Sequence, residues 1–217
     1  MHHFRITPLR LAAAVVVGSF AFAGIGYAAS LGLLSKQLFV WNQTLTKGTC
    51  NQTSTTAFDT YVQQASPNST SGGTATTLRI VPTAGSQEYS FIRFDLSGCN
   101  LPTTGGADSA ALSVYVTTAG NSTVSLYPVY STWSESTLNW NGLGGLTIGS
   151  TATTTFSGST TGAKTVTVTA DVDAAIKAGT LWGWELKATT GTAAVVLASS
   201  ENGTTSRRPS MTLSYEK

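Results

Sequence analysis

From Ser90 to Ser97 the chain reads SFIRFDLS, in which Ile92, Phe94 and Leu96 alternate with Phe91, Arg93 and Asp95. A period of two places the first set on one face of a β-strand and Arg93 with Asp95 on the other, where an ion pair along the strand is expected. The same rhythm returns at 110–117 (AALSVYVT), with Ala110, Leu112, Val114 and Val116 on one face, and at 164–169 through Val166 and Val168. Further strands are expected at 57–63, 77–81, 124–130, 181–188, 194–201 and 210–215, separated by Gly-, Pro- and Asn-rich turns. Pro128 argues for an edge or a strand end, and Trp182 and Trp184 fall on one face of their strand. A short apolar burst, Leu38 to Trp41, is a further edge-strand candidate. The one helical turn expected is DAAIKAG at 173–179, with Asp173 as N-cap and Gly179 beyond its end. Because no helix-length periodic segment separates the strands, antiparallel rather than parallel connections are expected. The fold expected is an all-β antiparallel sandwich of jelly-roll type, with about nine or ten strands.

The first thirty residues follow a different pattern. His2, His3, Arg5 and Arg10 precede a run from Leu11 to Ile25 without a charge, and small residues follow at Gly26, Ala28 and Ala29. This is the layout of a cleavable secretory signal. The competing reading, a membrane anchor, needs about 20 apolar residues. Three parts follow: a signal peptide at 1–29, an N-terminal extension at 30–56 and the sandwich at 57–217.

Cleavage changes the charge balance. The whole chain has 12 basic and 10 acidic residues, and loss of Arg5 and Arg10 leaves ten of each. No clustered positive field remains for nucleic acid, and no membrane partner is expected once the signal is gone. Both histidines leave too, which excludes a Ser-His-Asp or Cys-His triad and any imidazole zinc site from the mature chain. Cys50 and Cys99 are the only cysteines. In an exported chain such a pair reads as a disulfide, here tying the extension to the loop after the best-patterned strand. Only 10% of residues are charged while 41% are hydrophobic, which sets the chain apart from disordered sequences and suits strands joined by polar turns.

Seven segments then resemble one family in order: DTYV at 59–62, RFDLS at 93–97, AALSVYV at 110–116, WSESTLNWN at 133–141, DVDAAIKAG ending at Gly179, SSE at 199–201 and RPSMTLSY at 208–215. They resemble the β-sandwich family of DNRLRE domains, classed in part as carbohydrate-binding module family 96. The resemblance covers Ala57 to the C-terminus and leaves Leu31 to Thr56 and the disulfide outside it. It implies a secreted, non-catalytic module, often found beside polysaccharide-degrading domains, with some members binding acidic polysaccharides.

The candidate chemistry agrees with a binder of polysaccharide. Trp133 and Trp140 flank Glu135 in a glycine-rich loop that also carries Asn139 and Asn141. Exposed rings stack on the apolar faces of sugars while amides and carboxylates take their hydroxyls; alternatively, both rings cap one end of the sandwich. Arg207 is the candidate for an acidic polymer through a two-pronged guanidinium–carboxylate contact. Calcium is the metal this composition points to, since it takes carboxylate and carbonyl oxygens and needs neither histidine nor thiolate, and Asp59 in an early strand can meet Glu201 in a late one at a sandwich end. The expected function is a secreted carbohydrate-binding module. The alternatives are a structural surface or matrix protein and, more weakly, a polysaccharide lyase or hydrolase. Nothing in the sequence fixes the oligomeric state.

Overall fold

The computed structural model describes residues 47–53, 55–101, 106–178 and 182–216. The signal segment, the burst at 38–41 and Gly179 lie outside the described residues. Two antiparallel sheets face each other. Sheet A contains β1 (Lys47–Gln52), β3 (Thr77–Ile80), β5 (Ala107–Thr118), β8 (Gly162–Thr167), β10 (Val195–Ala198) and β11 (Ser210–Glu216). Sheet B runs in the order β2 (Ala57–Gln63), β4 (Glu88–Phe94), β9 (Trp184–Thr190), β6 (Thr123–Pro128), β7 (Thr154–Ser157). The architecture is the expected all-β sandwich, with eleven strands among the described residues.

The long strand β5 organises sheet A. Leu112 is opposite both Met211 of β11 and Val166 of β8, so those strands take opposite edges of β5. Val116 is opposite Leu197 of β10 and Gly162 of β8, so β10 follows β11 along the same edge. β1 then extends β11, with Cys50 opposite Leu213. Pro128 is the last residue of β6, and β6 lies inside sheet B between β9 and β7. Proline therefore marks a strand end here.

The alternation works as the sequence predicts in β4 and β5. Ile92, Phe94, Leu112, Val114 and Val116 are buried between the sheets with Leu78, Leu126, Trp184, Leu197 and Leu213. Each fully buried side chain of this size contributes roughly 1.5–3 kcal/mol. One helix, α1 (Thr169–Ala178), closes this core with Val172 and Ala175. It starts four residues before the expected turn, so Asp173 lies inside it. There its Oδ1 accepts the Ala107 N–H at 3.1 Å and its Oδ2 pairs with Lys177 at 2.7 Å. At the helix start, Asp171 Oδ2 accepts the indole N–H of Trp184 at 2.6 Å and the Thr153 hydroxyl at 2.5 Å.

The Arg93–Asp95 ion pair does not form. β4 ends at Phe94; the Asp95 N–H bonds the Thr56 carbonyl at 2.8 Å and its carboxylate accepts the Ser97 N–H at 2.9 Å, which holds its pKa below the usual carboxylate range. Nor do Trp182 and Trp184 share a face. Gly183 between them has φ +81°, and a Cβ there would lie 2.0 Å from the Ile92 carbonyl oxygen. That left-handed residue breaks the alternation, sending Trp184 into the main core and Trp182 to the other side of sheet B.

Cys50 and Cys99 form a disulfide with Cα atoms 5.6 Å apart. It links β1 of sheet A to the loop after β4 of sheet B. The buried Gln52 amide lies 2.8 Å from Cys99 Sγ and 2.9 Å from Cys50 Sγ.

Candidate carbohydrate surface and carboxylate cluster

A second apolar cluster covers part of the outer face of sheet B. Val62 of β2 and Phe91 of β4 point away from the main core and meet Val129, Trp133 and Leu138 from the end of β6 and the β6–β7 loop. Trp133 is only 6% exposed. Its indole N–H donates to the Trp182 carbonyl at 2.6 Å, and its ring meets Phe91 edge to face at 5.8 Å. Trp133 thus offers no free face to a sugar: it is the anchor of the loop.

Arg93 completes this anchor. Its guanidinium lies 4.1 Å from the Phe58 ring centroid, 5.4 Å from that of Trp133 and 5.8 Å from that of Trp182. Three aromatic faces around one cation replace the carboxylate partner that the sequence suggests. Burial lowers the Arg93 pKa, opposed first by Glu135 and then by Asp95.

Trp140 is placed differently. It opens a tight 3-10 turn, Trp140–Gly145, that Asn139 caps by accepting the Gly142 N–H at 3.0 Å. Asn141 holds this turn to the β2–β3 loop, its amide donating to Asn68 Oδ1 at 2.8 Å and its N–H to the Pro67 carbonyl at 3.1 Å. The half-buried Trp140 ring lies against Tyr89 with centroids 5.0 Å apart. Beyond Tyr89 the outer face continues through Lys187 of β9, whose Nζ is 5.7 Å from the Tyr89 centroid and 4.2 Å from that of Tyr127 on β6. Lys187 also lies 2.7 Å from Glu185 Oε2. Burial raises the Tyr89 pKa, with Lys187 acting against it and Glu185 with it. Trp140, Tyr89 and Tyr127 thus form an aromatic row with a cation between the two tyrosines. Tyr89 and Tyr127 escaped the sequence reading because their strands are judged by the inward face, which carries the alternation.

Arg207 is not part of this row. It is exposed and lies 4.9 Å from the ring centroid of Tyr115 on β5. Tyr115 points away from the core residues Val114 and Val116, so Arg207 covers the outer face of sheet A, opposite Trp140.

Glu135 turns away from the aromatic row to the free edge of β2, where its Oε1 accepts the Asp59 N–H at 3.1 Å. Gly73, in the 3-10 turn after β2, makes this approach possible, since a Cβ there would lie 2.2 Å from the Glu135 carbonyl oxygen. The expected meeting of Asp59 and Glu201 occurs at this edge, and Glu135 joins them: one carboxylate oxygen from each lies within 4.8 Å of the others. Asp59 is fully buried, and its Oδ2 accepts the Ser200 N–H at 2.7 Å. Glu201 is exposed and accepts the Ser200 hydroxyl at 2.7 Å. Burial, then Glu201, pushes the Asp59 carboxyl well above the usual range against the Ser200 N–H, and Glu135 adds to the rise. Glu135 is also raised, by burial first and by Glu201, with the Asp59 N–H and Arg93 opposing.

Among the described residues no helix is long and apolar enough to cross a membrane. No curated protein matches the chain. A family model does: carbohydrate-binding module family 96 matches residues 51–215, from β1 to β11 and therefore across both sheets, the aromatic row and the carboxylate cluster. The chain belongs to carbohydrate-binding module family 96.

Proposed function

We propose that this chain is a secreted, non-catalytic module that binds polysaccharide along the aromatic row on the outer face of sheet B. The observation that carries the reading is the Trp140–Tyr89 pair at 5.0 Å, both rings half-buried and continued by Tyr127 two strands away. Two strand spacings are about 10 Å, so the row suits a stretch of polymer rather than one sugar. Ring faces take the apolar sides of the pyranoses, while the exposed Thr189, held at 2.8 Å by the buried Ser125 hydroxyl, brings a hydroxyl to the same face. Preference for acidic polymers is the finer part of the proposal. Lys187 is the cation within the row, and Arg207 on Tyr115 is a separate contact on the opposite face. The proposed organisation is a signal at 1–29, removed on export, followed by the extension at 30–56 and the sandwich at 57–217. The disulfide supports an oxidising destination.

Affinity electrophoresis against neutral and acidic polysaccharides tests the reading. The parent is retarded on at least one gel, Trp140→Ala loses the retardation, and Lys187→Ala weakens it only on acidic polymers, whereas Arg207→Ala, on the opposite face, leaves the row's binding in place. A parent that migrates freely on every gel overturns the binding role and leaves that of a structural spacer. Release of reducing or unsaturated sugar ends overturns the non-catalytic part.

A further inference from the structure

The cluster of Asp59, Glu135 and Glu201 has no part in the aromatic row, and its geometry is that of a set of ligands. Each carboxylate is fixed through one oxygen: Asp59 by the Ser200 N–H, Glu135 by the Asp59 N–H and Glu201 by the Ser200 hydroxyl. The remaining oxygen of Asp59, Oδ1, is buried and receives no hydrogen bond, in a residue with 0% exposure. A buried carboxylate oxygen without a donor is costly unless a partner fills its place. The three ligand oxygens converge within 4.8 Å. Two oxygens that share one calcium ion at about 2.4 Å are at most about 4.8 Å apart, so the three fit a common ion.

We propose that Asp59, Glu135 and Glu201 bind a calcium ion at the edge of the sandwich, through Asp59 Oδ1 and one oxygen from each glutamate. The donor set names the metal class. All three ligands are hard carboxylate oxygens, and the described residues contain no free cysteine, so zinc and copper lack their preferred partners. Asp59 is buried and Glu201 exposed, so the site opens to water on one side. Calcium takes six to eight oxygens in irregular geometry and fills the rest of its shell with water, whereas magnesium demands a near-ideal octahedron.

The ion joins three separate pieces of chain. Asp59 is in β2, Glu135 is in the loop that presents Trp140, and Glu201 is in the loop that presents Arg207. It therefore orders both loops without itself touching sugar.

The test uses the whole protein after treatment with a chelator, titrated with calcium chloride alone. Calorimetry is expected to show saturable binding, and the melting temperature to rise by several degrees, with a smaller rise for magnesium. Loss of an outer partner of a metal costs about 10–100-fold in affinity, so loss of a ligand in Glu201→Gln is expected to cost at least tenfold. Glu201 is exposed, so this variant folds, which circular dichroism checks; Glu135→Gln gives the second arm. Absence of binding heat together with an unchanged melting temperature in folded parent protein overturns the proposal. So does calcium stabilisation that survives in the Glu135→Gln, Glu201→Gln double variant. A rise in stability of Glu201→Gln with no calcium response in the parent overturns it as well, because the cluster is then held by protons.

Discussion

The replacement of Trp133 by phenylalanine separates an anchoring ring from a sugar-stacking one. The indole N–H meets the Trp182 carbonyl at 2.6 Å, and phenylalanine leaves that acceptor without its donor, at about 1–2 kcal/mol. The smaller ring leaves space beside Phe91 and Leu138 in a cluster where Trp133 is 6% exposed, at about 1 kcal/mol more. Arg93, 5.4 Å from the Trp133 centroid, loses part of its aromatic contact, about 0.5 kcal/mol. The expected total is about 2.5–3.5 kcal/mol. For a domain of this size each kcal/mol moves the melting temperature by roughly 2–4 °C, so a fall of about 5–14 °C is expected. Equilibrium urea denaturation gives the free energy, and titration with the bound polysaccharide well below the transition gives affinity. Affinity is expected to change less than threefold, because Trp140 and Tyr89 remain in place. Unaltered stability with a tenfold loss of affinity would refute the reasoning, since it makes Trp133 a ligand contact.

Three further outcomes are expected. Gly183→Ala forces a side chain into a left-handed position 2.0 Å from the Ile92 carbonyl, so urea denaturation is expected to show a loss of more than about 2 kcal/mol. The denatured, unreduced protein is expected to contain no alkylatable thiol at Cys50 or Cys99, and removing that crosslink, with its sequence separation of 49, to cost about 4 kcal/mol in the chain-entropy estimate. Asp173 is held below its ordinary carboxylate pKa, first by the hydrogen bond from Lys177. A depressed folded pKa contributes stability above the unfolded value of about 3.9, lost as pH falls through the folded value. A carboxyl-carbon NMR titration is expected to show a midpoint that Lys177→Met moves upward, and a midpoint unmoved by that change would sink the assignment.

Strand faces are legible in this chain where one face meets the opposite sheet, as in β4 and β5, because burial imposes the alternation. It fails where a local backbone event intervenes. Asp95 shares parity with Arg93, but β4 has ended before it. Trp182 shares parity with Trp184, but Gly183 takes a positive φ between them. The strand β7 carries one buried residue, Phe156, and β1 is polar except for Cys50; each takes its identity from its partner strand. Leading into α1, the spacing of Val168, Val172 and Ile176 is helical, yet Val166 and Val168 continue the alternation of β8 and mask the helix start. At the candidate site, Asp59 and Glu201 belong to early and late segments that a sandwich naturally brings together. Glu135 comes from a loop 76 residues beyond Asp59, where no period indicates direction, and its position depends on the space left by Gly73.

The pairing of β1 with β11 has a mechanical consequence. Lys47 lies opposite Glu216, so the two ends of the sandwich emerge side by side from one sheet edge. Tension that draws these ends apart loads the pair at its tip and opens it one hydrogen bond at a time, the weakest way to load two strands. The opening can travel only three residues along β1 before it reaches Cys50, where the covalent link to Cys99 passes the load into the loop after β4. In a module held to a surface at both ends, the zip is the yielding element and the disulfide is its stop.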